Sequence, residues 1–370
     1  MNLIQQLQSI PDYRKQKGKR HELWLVLLLI LLGAMVGYWG YRPLEDFTRV
    51  HRKSLIELLE LSPETEFPSY STFRRVLLNL DFQPLTDVFN GWASISFPPV
   101  PTERLAIDGK GICCTLTNYN QSYRNLISVV SVFSHGRGIV MKMQPMSSQG
   151  EGEIKVVQKL VKDFRSQNVM FTLDALHCQK KTVEQIKSDG NDYLIGLKQN
   201  QPTLYKVAQN ISQNQSPISS AAKKSEEHGR SIQRLVQVFT VPEEIQSQWM
   251  GLSSFVVVER TGFRKGKRYD ERRYYISSQL LSAEQLLMDI QGHWGIENRL
   301  HWVRDVTFCE DFPPRRGGNA PVNWAILHNF FISIARSLGY RTIPQAQRCL
   351  NNQLQTVFSL LIGNHPPELI

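Results

Sequence analysis

Two acids sit at the ends of apolar runs. Leu105-Ala-Ile-Asp108 and Val169-Met-Phe-Thr-Leu-Asp174 each read as a short strand finishing on a carboxylate. Cleaving a phosphodiester with two metal ions requires carboxylates that hold the ions roughly 3.5–4 Å apart. Acids at the ends of neighbouring strands supply such oxygens rigidly. Magnesium, or manganese, suits them, because these ions take few protein carboxylates and keep water and substrate phosphate as further ligands. A single Asp after a strand more often opens a turn or caps a helix, so neither acid carries the reading alone.

A third candidate lies in Gln291-Gly-His-Trp-Gly-Ile-Glu-Asn-Arg-Leu-His-Trp-Val-Arg-Asp305. At 100° per residue, His293, Glu297, His301 and Arg304 fall on one helical face, and Ile296, Leu300 and Val303 on another. An acid flanked by His and Arg one turn away suits a metal ligand in a phosphate-binding cleft, with Trp294 and Asn298 beside it as further DNA contacts. Asp305, Glu310 and Asp311 compete for the same role. His293, Glu297 and His301 at i, i+4 and i+8 would equally suit zinc in a metallohydrolase, which would not need Asp108 and Asp174.

Basic and amide side chains surround these positions. Lys198, Gln199, Asn200 and Gln201 directly follow an expected strand and would reach phosphate and base edges. Lys110 and Lys180 stand beside the acids, and Arg264, Lys265, Lys267 and Arg268 form a run suited to backbone contact further out. For any one lysine a solvated surface is the blander reading.

The elements that must position these groups come in three stretches. Residues 1–98 read as helical, with helix-compatible spacing at Leu23–Val36, Leu44–Leu61 and Tyr70–Asn79 and with Ser69 or Ser71 as a cap for the last. Phe97-Pro-Pro-Val-Pro then breaks the pattern. Over residues 99–201 the expected order is β-β-β-α-β-α-β: the Asp108 strand, an antiparallel pair at Leu126–Phe133 and Gly138–Met143, a helix at Ile154–Phe164, the Asp174 strand, a helix at Cys178–Lys187 and a strand at Tyr193–Leu197. That order predicts an α+β or α/β fold, a mixed sheet with helices on its faces. Residues 202–280 read as a β-rich insertion: Gln209–Ser220 as a loop, then strands at Ile232–Thr240, Ser253–Glu259 and Arg273–Ile276. Helices dominate 281–370.

The 370 residues carry a formal net charge of +10, with 41% hydrophobic and 21% charged residues. This fits a folded chain with an anionic partner, nucleic acid or an acidic membrane surface. Leu23–Tyr41 holds no charged residue and follows a basic stretch, which would suit a membrane span. Its glycine- and aromatic-diluted second half predicts a buried core helix instead. The five cysteines have no CxxC spacing and suggest a reduced, cytosolic chain.

With these residues in view, the chain resembles the insertion-sequence transposases of the H-repeat-associated (ISAs) type, within the DDE group. Ala106-Ile-Asp-Gly-Lys110 is similar to the family's first catalytic motif. Thr172-Leu-Asp-Ala-Leu-His-Cys-Gln-Lys180 and Asp192-Tyr-Leu-Ile-Gly-Leu-Lys-Gln-Asn-Gln-Pro202 resemble the second, and His293-Trp-Gly-Ile-Glu-Asn-Arg-Leu-His-Trp302 with Asp305-Val-Thr-Phe-Cys-Glu-Asp311 resembles the third. Lys19-Arg-His-Glu-Leu and Pro68-Ser-Tyr-Ser-Thr-Phe-Arg-Arg resemble the domain that precedes the catalytic core. The chain departs from the family pattern at Gly111-Ile-Cys-Cys, at His177 where a small residue is commoner, at Arg304 where an aliphatic is usual, and at Pro313-Pro-Arg-Arg.

The resemblance implies an RNase H-like core interrupted by the insertion, with Asp108, Asp174 and Glu297 as catalytic and metal-binding triad and two Mg2+ or Mn2+ ions per site. It implies cleavage of transposon-end DNA, strand transfer into a double-stranded target, a homodimer on DNA, and a place in the cytoplasm with the nucleoid. An inactive DNA-binding relic is the alternative within the same family.

Overall fold

The computed structural model describes residues 2–117, 126–227, 230–264 and 267–363. Among them, six helices precede the first strand: α1 Leu3–Gln8, α2 Leu23–Met35, α3 Tyr41–Val50, α4 Arg52–Leu58, α5 Tyr70–Asn79 and α6 Phe82–Ser96. Every residue of α2 except Trp24 is buried. A helix that is apolar all round belongs inside a core, and α1, α3 and α5 pack on it. Thirteen residues rise about 20 Å, short of a hydrocarbon core of about 30 Å. No helix of the described residues is long and apolar enough to cross a membrane. Gly33 lets α2 and α3 approach closely, because a Cβ there would lie 2.6 Å from Leu44 Cδ2.

Two local expectations change. The expected helix Leu44–Leu61 is divided into α3 and α4 at His51, whose φ of −96° and ψ of 16° interrupt the helical repeat. Helix α5 has the expected bounds, but Ser69 makes no cap bond to the backbone. Its hydroxyl lies 2.9 Å from that of Ser71 instead.

The sheet follows. Strands β1 Arg104–Gly111, β2 Ile127–Ser134 and β3 Val140–Ser147, helix α7 Glu153–Lys162, β4 Met170–Leu173, α8 Lys180–Ser188 and β5 Asp192–Leu197 reproduce the expected order. Then come α9 Pro202–Asn214, β6 Ser219–Glu227, β7 Arg230–Thr240, α10 Glu243–Gln246, β8 Ser254–Arg264 and β9 Lys267–Ser277. The strands form one mixed sheet of nine, ordered β3-β2-β1-β4-β5-β9-β8-β7-β6. Strands β1, β4 and β5 run parallel, while β5 and β9 are antiparallel neighbours. The β-rich stretch is therefore an extension of the central sheet, joined where Leu194 faces Ser277. Much of the expected loop 209–220 is helix α9, because Leu204, Ala208 and Ile211 form a buried stripe at i, i+4 and i+7.

Alternation along the strands divides the core. Phe171 meets Phe164 beside α7. Its neighbour Met170 joins Leu194, Val236 and Val256 under Leu286, Leu287 and Ile290 of α11 Ala283–His293. After α11 come a π-helical turn Glu297–His301, α12 Trp302–Val306, α13 Ala320–Ser337, α14 Ile343–Leu350 and α15 Leu354–Ile362. Helix α13 ties the N-terminal helices to the sheet: Phe330 packs edge-on to Phe89 and beside Trp92, and α13 also touches β3.

Candidate active site

Parallel pairing sets the first two acids. The β1–β4 register runs from Arg104 opposite Met170 to Ile107 opposite Leu173, so the next residues, Asp108 and Asp174, stand level. Asp174 directly follows the last residue of β4 and is exposed. Asp108 lies inside its strand. Strand β1 continues to Gly111 because β2 pairs with it over its whole length, Asp108 facing Ser131. Burial pushes the Asp108 carboxyl up to about 7, helped by the charges of Asp174, Glu153 and Glu297 and opposed by a hydrogen bond from the Gly109 backbone.

Two histidines face these acids. His301 Nδ1 lies 3.5 Å from Asp108 Oδ2, and His293 Nε2 lies 3.9 Å from Asp174 Oδ1. Burial, with the charges of Arg304 and Lys110, pushes His301 down to about 3, and burial also lowers His293. Both rings are therefore neutral polar neighbours of the acids. Thr172 Oγ1 holds the other nitrogen of His293, Nδ1, at 3.0 Å and meets His135 Nε2 at 2.9 Å. His135 is itself pushed down to about 3 by burial.

Glu297 opens the π-helical turn and is exposed. His293, Glu297 and His301 still lie toward the two aspartates across this turn, and Arg304 alone of the expected face turns into the core. Arg304 is completely buried and bonds Glu310 through Nε at 2.8 Å, while His328 Nδ1 approaches the other Glu310 oxygen at 2.6 Å. Arg304 thus has no surface to offer DNA, and Glu310 is a core group rather than a rival for the third acid. Lys110, also expected at DNA, is buried and paired to Asp305 at 2.6 Å and Asp311 at 3.4 Å. The zinc set of His293, Glu297 and His301 is not assembled either, since the two imidazoles serve different acids. Among the described residues no three of His, Cys, Asp or Glu already stand in metal-holding positions.

The remaining expected contacts divide. Asn200 donates to Ala175 O at 2.7 Å and Gln201 to Cys178 O at 2.8 Å, so these two amides brace the turn after Asp174. Lys180, Lys198 and Gln199 are exposed, as is Asn298. Lys198 and Gln199 line a cleft of about 490 Å3 beside Asp174, together with Tyr205, Arg273, His293 and Trp294. The Arg273 guanidinium lies 5.3 Å from the Trp294 ring centroid. Arg268 is exposed near the β8–β9 turn, and the backbones of Arg264 and Lys267 flank that turn. Lys265 lies outside the described residues. Burial pushes the Cys178 thiol up to about 12, so it carries no thiolate beside Asp174.

Sequence reasoning missed Glu153, His135 and Thr172. Glu153 reads in sequence as an ordinary acid opening an amphipathic helix, and the structure sets its carboxylate against Gly109, next to Asp108. Only the return of α7 across the sheet brings it there.

Comparison with known proteins gives consistent matches. The profile of the family described as "Transposase DDE domain" matches residues 100–333, and that described as "DDE_Tnp_1-associated" matches residues 4–93. The chain is 30% identical over 344 residues to the "H repeat-associated putative transposase YhhI" of Escherichia coli K12, covering 90% of this chain and 89% of the relative. It is similarly 30% identical over 344 residues to "Putative protein YbfL" of the same strain, with 90% and 89% covered. Against the "Putative transposase YncI" of Escherichia coli O157:H7 it is 30% identical over 330 residues, with 86% and 83% covered.

Proposed function

This chain belongs to the H-repeat-associated DDE transposases, and from that membership we propose that it cuts the DNA ends of an insertion sequence and joins them to target DNA, with Asp108, Asp174 and Glu297 as its acidic triad. One observation carries the residue assignment: Asp108 stands level with Asp174, which directly follows the parallel neighbouring strand; burial, with the charges of Asp174, Glu153 and Glu297, also raises the Asp108 carboxyl. A set of oxygen donors that repel one another fits hard divalent cations, Mg2+ or Mn2+. Asp174 and Glu297 are exposed, so an ion reaches them from solvent.

When bound, two such ions supply an activated attacking oxygen and stabilise the leaving oxygen. The chain's own residues fix the geometry. Asp108 is held in the middle of a paired strand, Asp174 lines the cleft, and Glu297 opens the π-helical turn within electrostatic reach of Asp108. His301 and His293 stand beside the two aspartates, 3.5 Å from Asp108 and 3.9 Å from Asp174. Lys198, Gln199, His293 and Trp294 line the approach for double-stranded DNA, with Lys180, Asn298 and the basic run around Arg268 contacting it further out. No covalent protein nucleophile is needed, consistent with the protonated, buried Cys178.

Strand order β3-β2-β1-β4-β5 with α7 and α8 supports an RNase H-like core over 99–201, completed by the acidic turn in 281–370. Residues 1–98 form the associated helical domain, and 202–280 interrupt the core. Joining two element ends in one reaction calls for a homodimer on DNA, working in the cytoplasm at the nucleoid. Incubating the protein with the DNA flanking its gene, with and without Mg2+, tests the reading. Nicks at the element boundary that depend on the ion are expected, and ion-independent cleavage or none would refute it.

A further inference from the structure

We infer that Glu153 is a fourth carboxylate of the active centre, fixed by His177 to share a divalent cation with Asp108; this rests on the metal-dependent reading above. Glu153 opens α7, and its carboxylate packs against the backbone of β1. A Cβ at Gly109 would lie 3.0 Å from Glu153 Oε2 and 3.1 Å from Cδ, so the missing side chain beside Asp108 leaves the room that Glu153 fills. Glu153 Oε1 meets His177 Nε2 at 3.2 Å. His177 has 1% of its surface exposed, and its Nδ1 is buried without a hydrogen-bond partner among the described residues.

The imidazole sits three residues after Asp174, in the short turn Ala175–His177. Glu153 is therefore tied to the turn that follows one aspartate and rests on the strand that carries the other. Its charge is one of those that raise Asp108. Beyond Leu173, strand β1 has β2 as its partner and none from β4, so a carboxylate on the α7 side can reach round that edge.

The blander role for an acid at the first turn of a helix is to complement the helix dipole. That role needs neither a glycine beside Asp108 nor a buried histidine against one oxygen. Outer partners of this kind fix ligand orientation, and losing one typically weakens metal affinity 10–100-fold. His177 is a fixed, buried ring, and Glu153 is what it holds.

The test is Mn2+ binding to the full-length protein without DNA, followed by calorimetry and by the rise in melting temperature that the ion produces. Glu153→Gln is expected to weaken Mn2+ binding about tenfold or more and to reduce the ion's thermal stabilisation, and His177→Ala to weaken it by about tenfold. Glu153→Asp keeps the charge at the helix start and withdraws the carboxylate by one methylene, so it guards against a folding defect and should also bind Mn2+ more weakly. Wild-type binding by Glu153→Asp and Glu153→Gln, while Asp174→Asn loses the ion, would overturn this inference alone. Wild-type binding by Asp174→Asn would sink the triad reading and this inference with it.

Discussion

At the residue scale, the clearest division is between acids that face the cleft and acids that hold the core. Burial pushes Glu310 up, but the Arg304 charge and the His328 hydrogen bond prevail and hold it at about 2, so it is ionised inside the protein. Replacing it with Gln leaves the Arg304 guanidinium buried without its counter-charge, a loss of about 3–5 kcal/mol by the usual cost of breaking such a pair. Urea unfolding of Glu310→Gln checks this. Because the carboxyl is depressed from 4.5 to about 2 on folding, its contribution is complete above about pH 4.5 and disappears as pH falls through about 2. Wild-type stability should fall across that window more steeply than that of the Gln variant; parallel curves would contradict the assignment. Arg304 was legible in the sequence only as a cation on a helix. Its counter-ion is six residues away and the ring that completes the cluster belongs to α13, so burial there is a tertiary fact.

At the element scale, strands and acids were more legible than helix phase. The β2–β3 pair and the strand before Asp174 follow from β-branched runs separated by turn residues. The position of Asp108 inside β1 was not, because strand length is set by β2 across the sheet and not by the run that carries the acid. Helix α9 was hidden by its Gln, Asn and Ser content, although its buried stripe at Leu204, Ala208 and Ile211 was present in the sequence. The π turn at Glu297–His301 has no signature in spacing. Helix α2 is legible from the glycine and aromatic content that follows its apolar run, and its burial on all sides has a measurable consequence. Amides of Leu25–Leu32 should be among the slowest in the chain to exchange with deuterium, and protease should not cut there in the native state. Fast exchange, or early cleavage within α2, would place it outside the core.

At the scale of the whole molecule, the formal charge of +10 and the family both point to DNA, but they act through few residues. Lys110, Arg304, Asn200 and Gln201 are engaged within the protein, so of the expected contacts we propose Lys180, Lys198 and the run Arg264, Lys265, Lys267 and Arg268 as those that meet phosphate. Neutralising that run together should weaken binding to DNA of any sequence and flatten the dependence of log K on log salt, by roughly 0.9 for each phosphate that is no longer neutralised. An unchanged slope would show that the run does not touch the backbone. The central claim is that Asp108, Asp174 and Glu297 act as one unit on that DNA. The most direct measurement is Mg2+-dependent cleavage of the element's end DNA by Asp108→Asn, Asp174→Asn and Glu297→Gln, with DNA binding measured alongside. Each variant should lose cleavage while keeping most of its binding, and double variants should be little worse than single ones. Robust cleavage by any of the three, at wild-type binding, would contradict the assignment.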